Sequence, residues 1–371
     1  MATGRFRSLD TLRGLMLVVM TVDHLDLFGP IYRFTYETIG FASAAEGFVL
    51  LSGMVAGVVY GGYAATPGLL GAKVRRRLVT LYGYHLVVVA GLGAYYLLDR
   101  GQRPAGGVAA ALWNTLGGAL LVNQEPPLDI LPLYLLFVAS LPLVIRSFQS
   151  GRAGLLLASS GALWGLDQLL TPLAGYPVEL RFTIAGVPVF WQPNHFHLLA
   201  WQLLFVAGAW CGWRAREGTF ALARPAPWPV VGAALACVAV GFGLRHGVGL
   251  PQLGEERLAT GRVNLGWLRL IDVALVAWVA AQVVHRWPRL LWSRWLELLG
   301  RHALAVFTWQ SLLQMHLGPV YLAAAERWGV GARLPILAGA VASLTLPAWL
   351  DERRRLRARR GDRRPDAARR P

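Results

Sequence analysis

Asp10, Arg13, Asp23 and His24 lie along RSLDTLRGLMLVVMTVDHLDLFGP, residues 7–30, a stretch otherwise apolar enough to read as the start of a membrane helix. A charge inside such a helix costs roughly 2.5 to 3.5 kcal/mol at its centre, so it is a functional candidate when it faces protein or water. Asp10, Arg13, Leu17, Met20 and His24 are spaced 3, 4, 3 and 4 apart, which lays them on one stripe of one helix. Asp10 then pairs with Arg13 at one end of the stripe. At about 1.5 Å per residue, His24 lies roughly 16 Å further along the axis. A carboxylate beside an imidazole raises its basicity and fixes its tautomer, as a general base requires. Glu46, in the next apolar run AAEGFVLLSGMVAGVVYGGY, falls at about the depth of His24, and Asp23 and Asp26 are the other carboxylates that could orient it. Ser52 sits deeper in that run, and Gly53, Gly57, Gly61 and Gly62 permit close helix approach.

The elements that must position these groups are membrane spans. Of the 371 residues, 55% are hydrophobic and 15% charged, with 15 Trp and a mean hydropathy of +0.46, which exceeds what a soluble core of this length needs. Apolar windows fall at 11–29, 44–63, 78–98, 128–146, 152–170, 198–215, 228–246, 267–286, 301–321 and 333–350. The expected fold is therefore all-α, a polytopic membrane bundle of about ten transmembrane helices. The first is read as a retained span, because Asp23-His24 interrupts it and no small-x-small cleavage site follows.

Charge sets the orientation. Arg5 and Arg7, Lys73 with Arg75, Arg76 and Arg77, Arg146 and Arg152, Arg214 and Arg216, Arg286 and Arg289, and an Arg-rich tail all fall on one side of the alternating spans. The positive-inside rule makes that side cytoplasmic, with both termini inside. The same clustering explains the net charge of +16 without a nucleic-acid partner. Segment 106–121 is apolar, but an eleventh span there would split the basic clusters between faces, so an interfacial or re-entrant helix is expected. Residues 1–350 read as one integral-membrane domain. Residues 351–371, with ten Arg against four acids, read as a disordered cytoplasmic tail attracted to anionic lipid. Cys211 and Cys237 lie in apolar segments without metal-ligand spacing, so no metal site is expected.

The outer loops hold a second set of candidates. FWQPNHFHLLAWQ, residues 190–202, supplies Trp191, Gln192, Asn194, His195, His197, Trp201 and Gln202, the aromatic platforms and amides that sugar sites favour. An interfacial aromatic belt accounts for the Phe and Trp residues alone, but it does not need His195 or His197. Asp129 is either a helix-start acid facing the dipole or a site residue. His85 reads as a satisfied core histidine, with Asp167 and Asp272 as similar interhelical partners.

RFRSLDTLRGLMLVVMTVDH and GFASAAEGFVLLSGMVAGVVYG resemble the first two spans of the OpgC family, membrane acyltransferases that substitute osmoregulated periplasmic glucans. DILPLYLLF at 129–137, FWQPNHFHLLAWQLLFVAGAWCGW at 190–213 and LGRHALAVFTWQSLL at 299–313 extend the resemblance in order along nearly the whole chain to about 350. The wider similarity is to the acyltransferase-3 and transmembrane acyltransferase superfamily.

The resemblance implies acyl transfer from cytoplasmic acyl-CoA, a co-substrate and not a resident cofactor, to hydroxyls of a periplasmic glucan across the bacterial inner membrane. Succinyl-CoA is the favoured donor, acetyl-CoA the next. It makes His24 the catalytic base, with Glu46 or Asp23 beside it. Arg13, Asp10, Lys73, Arg75, Arg76, Arg77 and Ser52 would lie along the CoA path, where cations meet its phosphates. His302 reads as a helix-start or CoA-side residue near the cytoplasmic end of its span, not as a base. The 190–202 residues and Asp129 would hold the glucan, and Ser52, Gln192, Asn194 or Gln202 would supply oxyanion donors. A succinyl donor needs a further cation for its free carboxylate, for which Arg33 and Arg181 are candidates. The competing reading is a transporter or flippase-like partner in polysaccharide export, which predicts inverted repeats or broken helices. Neither is evident in the sequence.

Overall fold

The computed structural model describes residues 7–26, 29, 31–36, 40–66, 68–98, 104, 107–124, 128–174, 180–184, 187–191, 195–220, 224–247 and 259–362. In chain order these form α1 (Arg7–Leu25), α2 (Tyr32–Thr35), α3 (Ala44–Gly61), α4 (Leu69–Leu98), α5 (Gly107–Ala119), α6 (Ile130–Gln149) and α7 (Ala153–Ala174). A hairpin of β1 (Leu180–Ile184) and β2 (Val187–Trp191) follows. The remaining helices are α8 (Leu198–Arg216), α9 (Trp228–Phe242), α10 (Trp267–Arg286), α11 (Arg294–Arg301), α12 (Ala303–Trp328), α13 (Arg333–Ser343) and α14 (Thr345–Asp362). Each expected apolar window overlaps one or more of these helices. The departure from an all-helical chain is the antiparallel hairpin, whose β-branched and aromatic residues pair from Leu180 with Trp191 to Ile184 with Val187.

Six segments are long and apolar enough to cross a membrane: Ala44–Gly61, Leu69–Leu98, Ile130–Gln149, Trp228–His246, Trp267–Arg286 and Val330–Ala358. They mark a membrane protein. The count is lower than ten because α1, α7, α8 and α12 are diluted by polar residues. In α1 these are Arg7, Asp10, Arg13 and Asp23, and in α7 they include Asp167 and Gln168. At 13 residues, α5 rises only about 20 Å, short of a bilayer core of about 30 Å. It packs on α4, where His85, fully buried, bonds the Gly118 carbonyl at 2.8 Å.

Contacts divide the chain into two compact units, residues 1–32 with 291–371 and residues 33–290. In the first unit α1 packs on α11, α12 and α13. A side chain at Gly14 would overlap the Leu296 carbonyl and one at Gly300 the Asp10 carbonyl, so two glycines set the approach of α1 to α11. Val22, Leu25, Tyr321, Leu337 and Ala340 form an apolar core at the far end of α1. Leu344 separates α13 from α14 because Pro347 clashes with the carbonyl four residues earlier and offers it no N–H. The basic segment expected to be disordered from 351 is helical to Asp362. Its first two residues are held from within the unit: His302 contacts Asp351 at 2.6 Å and Glu352 at 2.8 Å.

In the second unit α3 and α8 lie against each other along their length. The contact is reciprocal. A Cβ at Gly53 or Gly57 would overlap the Phe205 or Ala209 carbonyl, and one at Gly208 or Gly212 the Leu50 or Met54 carbonyl. Ser52, buried beside this seam, has no hydrogen-bond partner for its hydroxyl among the described residues.

Candidate functional site

The second unit gathers polar residues at the N-terminal ends of α3, α6, α8 and α10. Glu46 is the third residue of α3. Its carboxylate reaches back to the Ser43 N–H at 3.0 Å, as in a capping box, and also bonds the Ser43 hydroxyl. Its other oxygen accepts from Arg269 of α10 at 2.9 Å, with both side chains essentially inaccessible to solvent. Asp129 caps α6, accepting from the Ile130 N–H at 2.9 Å. His197 caps α8 and meets Asp167 of α7 at 2.9 Å. Asp272 of α10 accepts from the Phe41 N–H at 2.8 Å and the Ala42 N–H at 2.9 Å. Gly40, at φ 73°, makes that turn possible, because a side chain there would run into the Asp272 carboxylate.

One loop, residues 259–266, ties these helix starts together. Its carbonyls are taken up one by one: Thr260 by Arg269 Nε at 2.9 Å, Arg262 and Val263 by the Trp201 indole at 3.2 and 3.0 Å, Asn264 by Gln168 at 2.7 Å and Leu265 by Trp164 at 2.9 Å. The His197 N–H adds a bond to Val263 at 3.1 Å. Leu265 sits at φ 50°, a left-handed conformation costing a leucine of order 1–3 kcal/mol, which this set of bonds holds in place. The loop presents Arg262, whose guanidinium carbon lies 5.6 Å from the Tyr36 ring centre and 5.3 Å from that of Phe196. His195 is the next residue back, its ring 5.1 Å from Phe196. Burial holds the His195 imidazole below its ordinary range. Asp129 pulls it up, while Arg262 and His197 push it further down. It is the neutral form that the site favours at pH 7.

The first unit carries the α1 stripe. Asp10, Arg13, Leu17 and Met20 are all buried, His24 is partly buried, and Asp23 is buried beside the stripe. Arg13 donates to the Gly300 carbonyl at 3.3 Å. Thr21 bonds Gln310 of α12 at 3.0 Å. Asp26 is committed to the fold. It accepts from the Ile31 and Tyr32 N–H groups at 2.7 and 2.9 Å and from the Tyr321 hydroxyl at 2.6 Å, with Arg333 at 3.5 Å. Of the carboxylates weighed as partners of His24, Asp26 and Glu46 therefore have their oxygens engaged within their own units.

A family model described as OpgC protein matches residues 5–356. The chain belongs to the OpgC family. No curated protein and no solved structure matches it. OpgC membership implies a transferase role in glucan modification.

Within this OpgC chain the sequence-selected residues separate by position. Glu46, Asp129, His195, His197 and Trp201 come together in the second unit. Trp201 is fully buried and acts through its indole on the 262–263 carbonyls. Gln202 holds α8 to α7, with its amide oxygen on the Ser160 hydroxyl at 2.7 Å and its amide nitrogen on the Ser160 and Leu199 carbonyls at 2.8 and 2.9 Å. Gln192 and Asn194 lie outside the described residues, as do the side chains of Trp191, Arg33 and Arg181. On α4, Arg75 and Arg76 are exposed, Arg77 is partly buried, and Lys73 lies 5.6 Å from the Tyr63 ring. Arg262 and Arg269 were not singled out from sequence. The signal available was Thr-Gly-Arg-Val-Asn-Leu-Gly, a polar loop running directly into an apolar helix, which is also what an ordinary loop looks like.

Proposed function

We propose that this chain is a multi-pass inner-membrane O-acyltransferase, moving an acyl group, succinyl before acetyl, from cytoplasmic acyl-CoA to hydroxyls of a periplasmic glucan. The observation that carries the reading is the OpgC match over residues 5–356, and the buried ionisable stripe of α1 supports it, since a buried Asp, Arg and partly buried His on one face are costly without a task. In this reading α1, α7, α8 and α12 cross the membrane with the six apolar segments, and both termini are cytoplasmic. The starts of α3, α6, α8 and α10 then face the periplasm, and their polar cluster supports acceptor binding there. Kinship with the acyltransferase-3 superfamily belongs to the same proposal.

In the chemistry, His24 takes the proton of a glucan hydroxyl as its oxygen attacks the thioester carbonyl. The tetrahedral oxyanion collapses, the C–S bond breaks, and the CoA thiolate receives the proton back from the imidazolium. Arg13 with Asp10, and the Lys73, Arg75, Arg76 and Arg77 group, serve the CoA phosphates and path. Asp23 is the carboxylate proposed to tune His24.

The test is incubation of the purified protein in detergent with succinyl-CoA or acetyl-CoA and a β-glucan, following free thiol and glucan mass. Transfer is expected for the wild type and a loss of at least about 100-fold for His24→Ala, the scale of general base catalysis. A folded His24→Ala protein with undiminished transfer would sink the base assignment, and no transfer from either donor would favour an export or flippase role.

A further inference from the structure

Among the described residues of the second unit's cluster, Arg262 is a cation with neither hydrogen bond nor ion pair, although the carboxylates of Glu46 and Asp129 act on its charge from further off. Glu46 and Arg269 satisfy each other, Asp272 is filled by two backbone N–H groups, and His197 meets Asp167. Arg262 is partly buried between two aromatic rings, its Nε is inaccessible and without a hydrogen-bond acceptor, and among the described residues its side chain makes neither hydrogen bond nor ion pair. A guanidinium keeps its charge at any physiological pH and has five donors arranged to match a carboxylate through two parallel bonds. Tyr36 and Phe196 lie within cation–π range and stabilise the charge without occupying its N–H donors. The loop that aims it is fixed through its carbonyls by Trp164, Gln168, Trp201 and Arg269, an investment in orientation that an incidental surface arginine does not have. The starts of α3, α6, α8 and α10 add the positive ends of four helix dipoles around it.

We infer that Arg262 is a carboxylate-binding residue, gripping a free carboxylate on a ligand of this site through its guanidinium edge. The carboxylate has two possible sources, the distal end of a dicarboxylic acyl group or an acidic sugar of the acceptor. The first rests on the proposed acyl transfer and would give Arg262 the place for which Arg33 and Arg181 were candidates. Binding of the anion itself does not depend on that reading.

Two measurements separate these. In the first, thermal unfolding of the purified full-length protein is followed with succinate, its neutral analogue succinamide, methyl glucuronide and methyl glucoside. The wild type is expected to be stabilised by succinate, by methyl glucuronide, or by both, and not by the neutral partners. Which acid acts identifies the source. Arg262→Gln should bind that acid about 10- to 100-fold more weakly, the range spanned by a hydrogen bond to a charged group. Arg262→Lys, which keeps the charge but loses the fork, should fall between them and guards against a folding defect in the glutamine variant. A wild type that responds to neither acid, or an Arg262→Gln protein that responds like the wild type, would overturn the assignment. In the second, transfer from succinyl-CoA and acetyl-CoA is compared. Arg262→Gln should lose succinyl transfer about 10-fold or more while acetyl transfer is kept, if the donor is the source. Equal loss of both overturns the donor assignment and leaves the first measurement to decide binding, whereas absence of transfer in the wild type counts against the acyltransferase reading alone.

Discussion

Glu46 and Arg269 are bonded at 2.9 Å with almost no accessible surface, so neither charge can return to water without unfolding. Removing one leaves the other unpaired in a medium of low dielectric, which typically costs about 3–5 kcal/mol. Glu46→Ala and Arg269→Met are each expected to lower the unfolding free energy in detergent by that amount. The double variant should recover part of the loss, because an apolar pair is cheaper than one orphaned charge. Equal and additive losses would mean that the two side chains stabilise the protein independently. At this scale the sequence singled out Glu46, Asp129, His195 and His197, because an ionisable residue next to an apolar run stands out, and the structure places Glu46, Asp129 and His197 at helix starts. Arg262 and Arg269 were beyond its reach. An arginine in or beside a loop has no distinguishing pattern, and the Arg269–Glu46 bond joins residues 223 positions apart. The covalent neighbours of Asp26 likewise give no hint that Tyr321 and Arg333 meet it.

Helix contacts follow a simpler code. The glycines of the second apolar run announced a close approach, and Gly53 and Gly57 make one, while the partner glycines 208 and 212 became recognisable only once α8 was seen opposite them. Adding a side chain at such a crossing forces two backbones apart and typically costs about 1–3 kcal/mol. Gly57→Leu is therefore expected to destabilise the protein by at least that amount, measured by thermal or denaturant unfolding. Gly83→Ala on α4, where nothing lies within 4 Å of the added carbon, should be neutral or gain up to about 1 kcal/mol from helix propensity. A similar cost at both positions would remove the packing argument. The hairpin and the break at Leu344 were not legible in the apolar windows. A window average hides the alternation of short strands and the effect of a single proline.

For the whole molecule, hydropathy gave the class and the order of helices, but not the division into residues 1–32 with 291–371 and residues 33–290. That division depends on which polar groups find each other. The basic tail, too, was read by composition alone, whereas Asp351 and Glu352 anchor its start to His302. Ending the chain after Leu350 should strip a buried imidazole of both partners and destabilise the first unit by about 1–3 kcal/mol. Ending it after Asp362 should leave the unfolding midpoint unchanged, and equal effects of the two truncations would show that the acidic pair is not what matters. The unit formed from two distant stretches of chain has a further meaning during synthesis. The first helix leaves the ribosome about 270 residues before the helices that shield its charged face, and at roughly 5–20 residues per second that is a wait of about 15 to 55 seconds. On the proposed topology, in which this helix crosses the membrane, Asp10, Arg13 and Asp23 must for that interval be sheltered by the insertion machinery or stay near the lipid headgroups, which would make the birth of this protein more sensitive to translocon and chaperone supply than its finished stability would suggest.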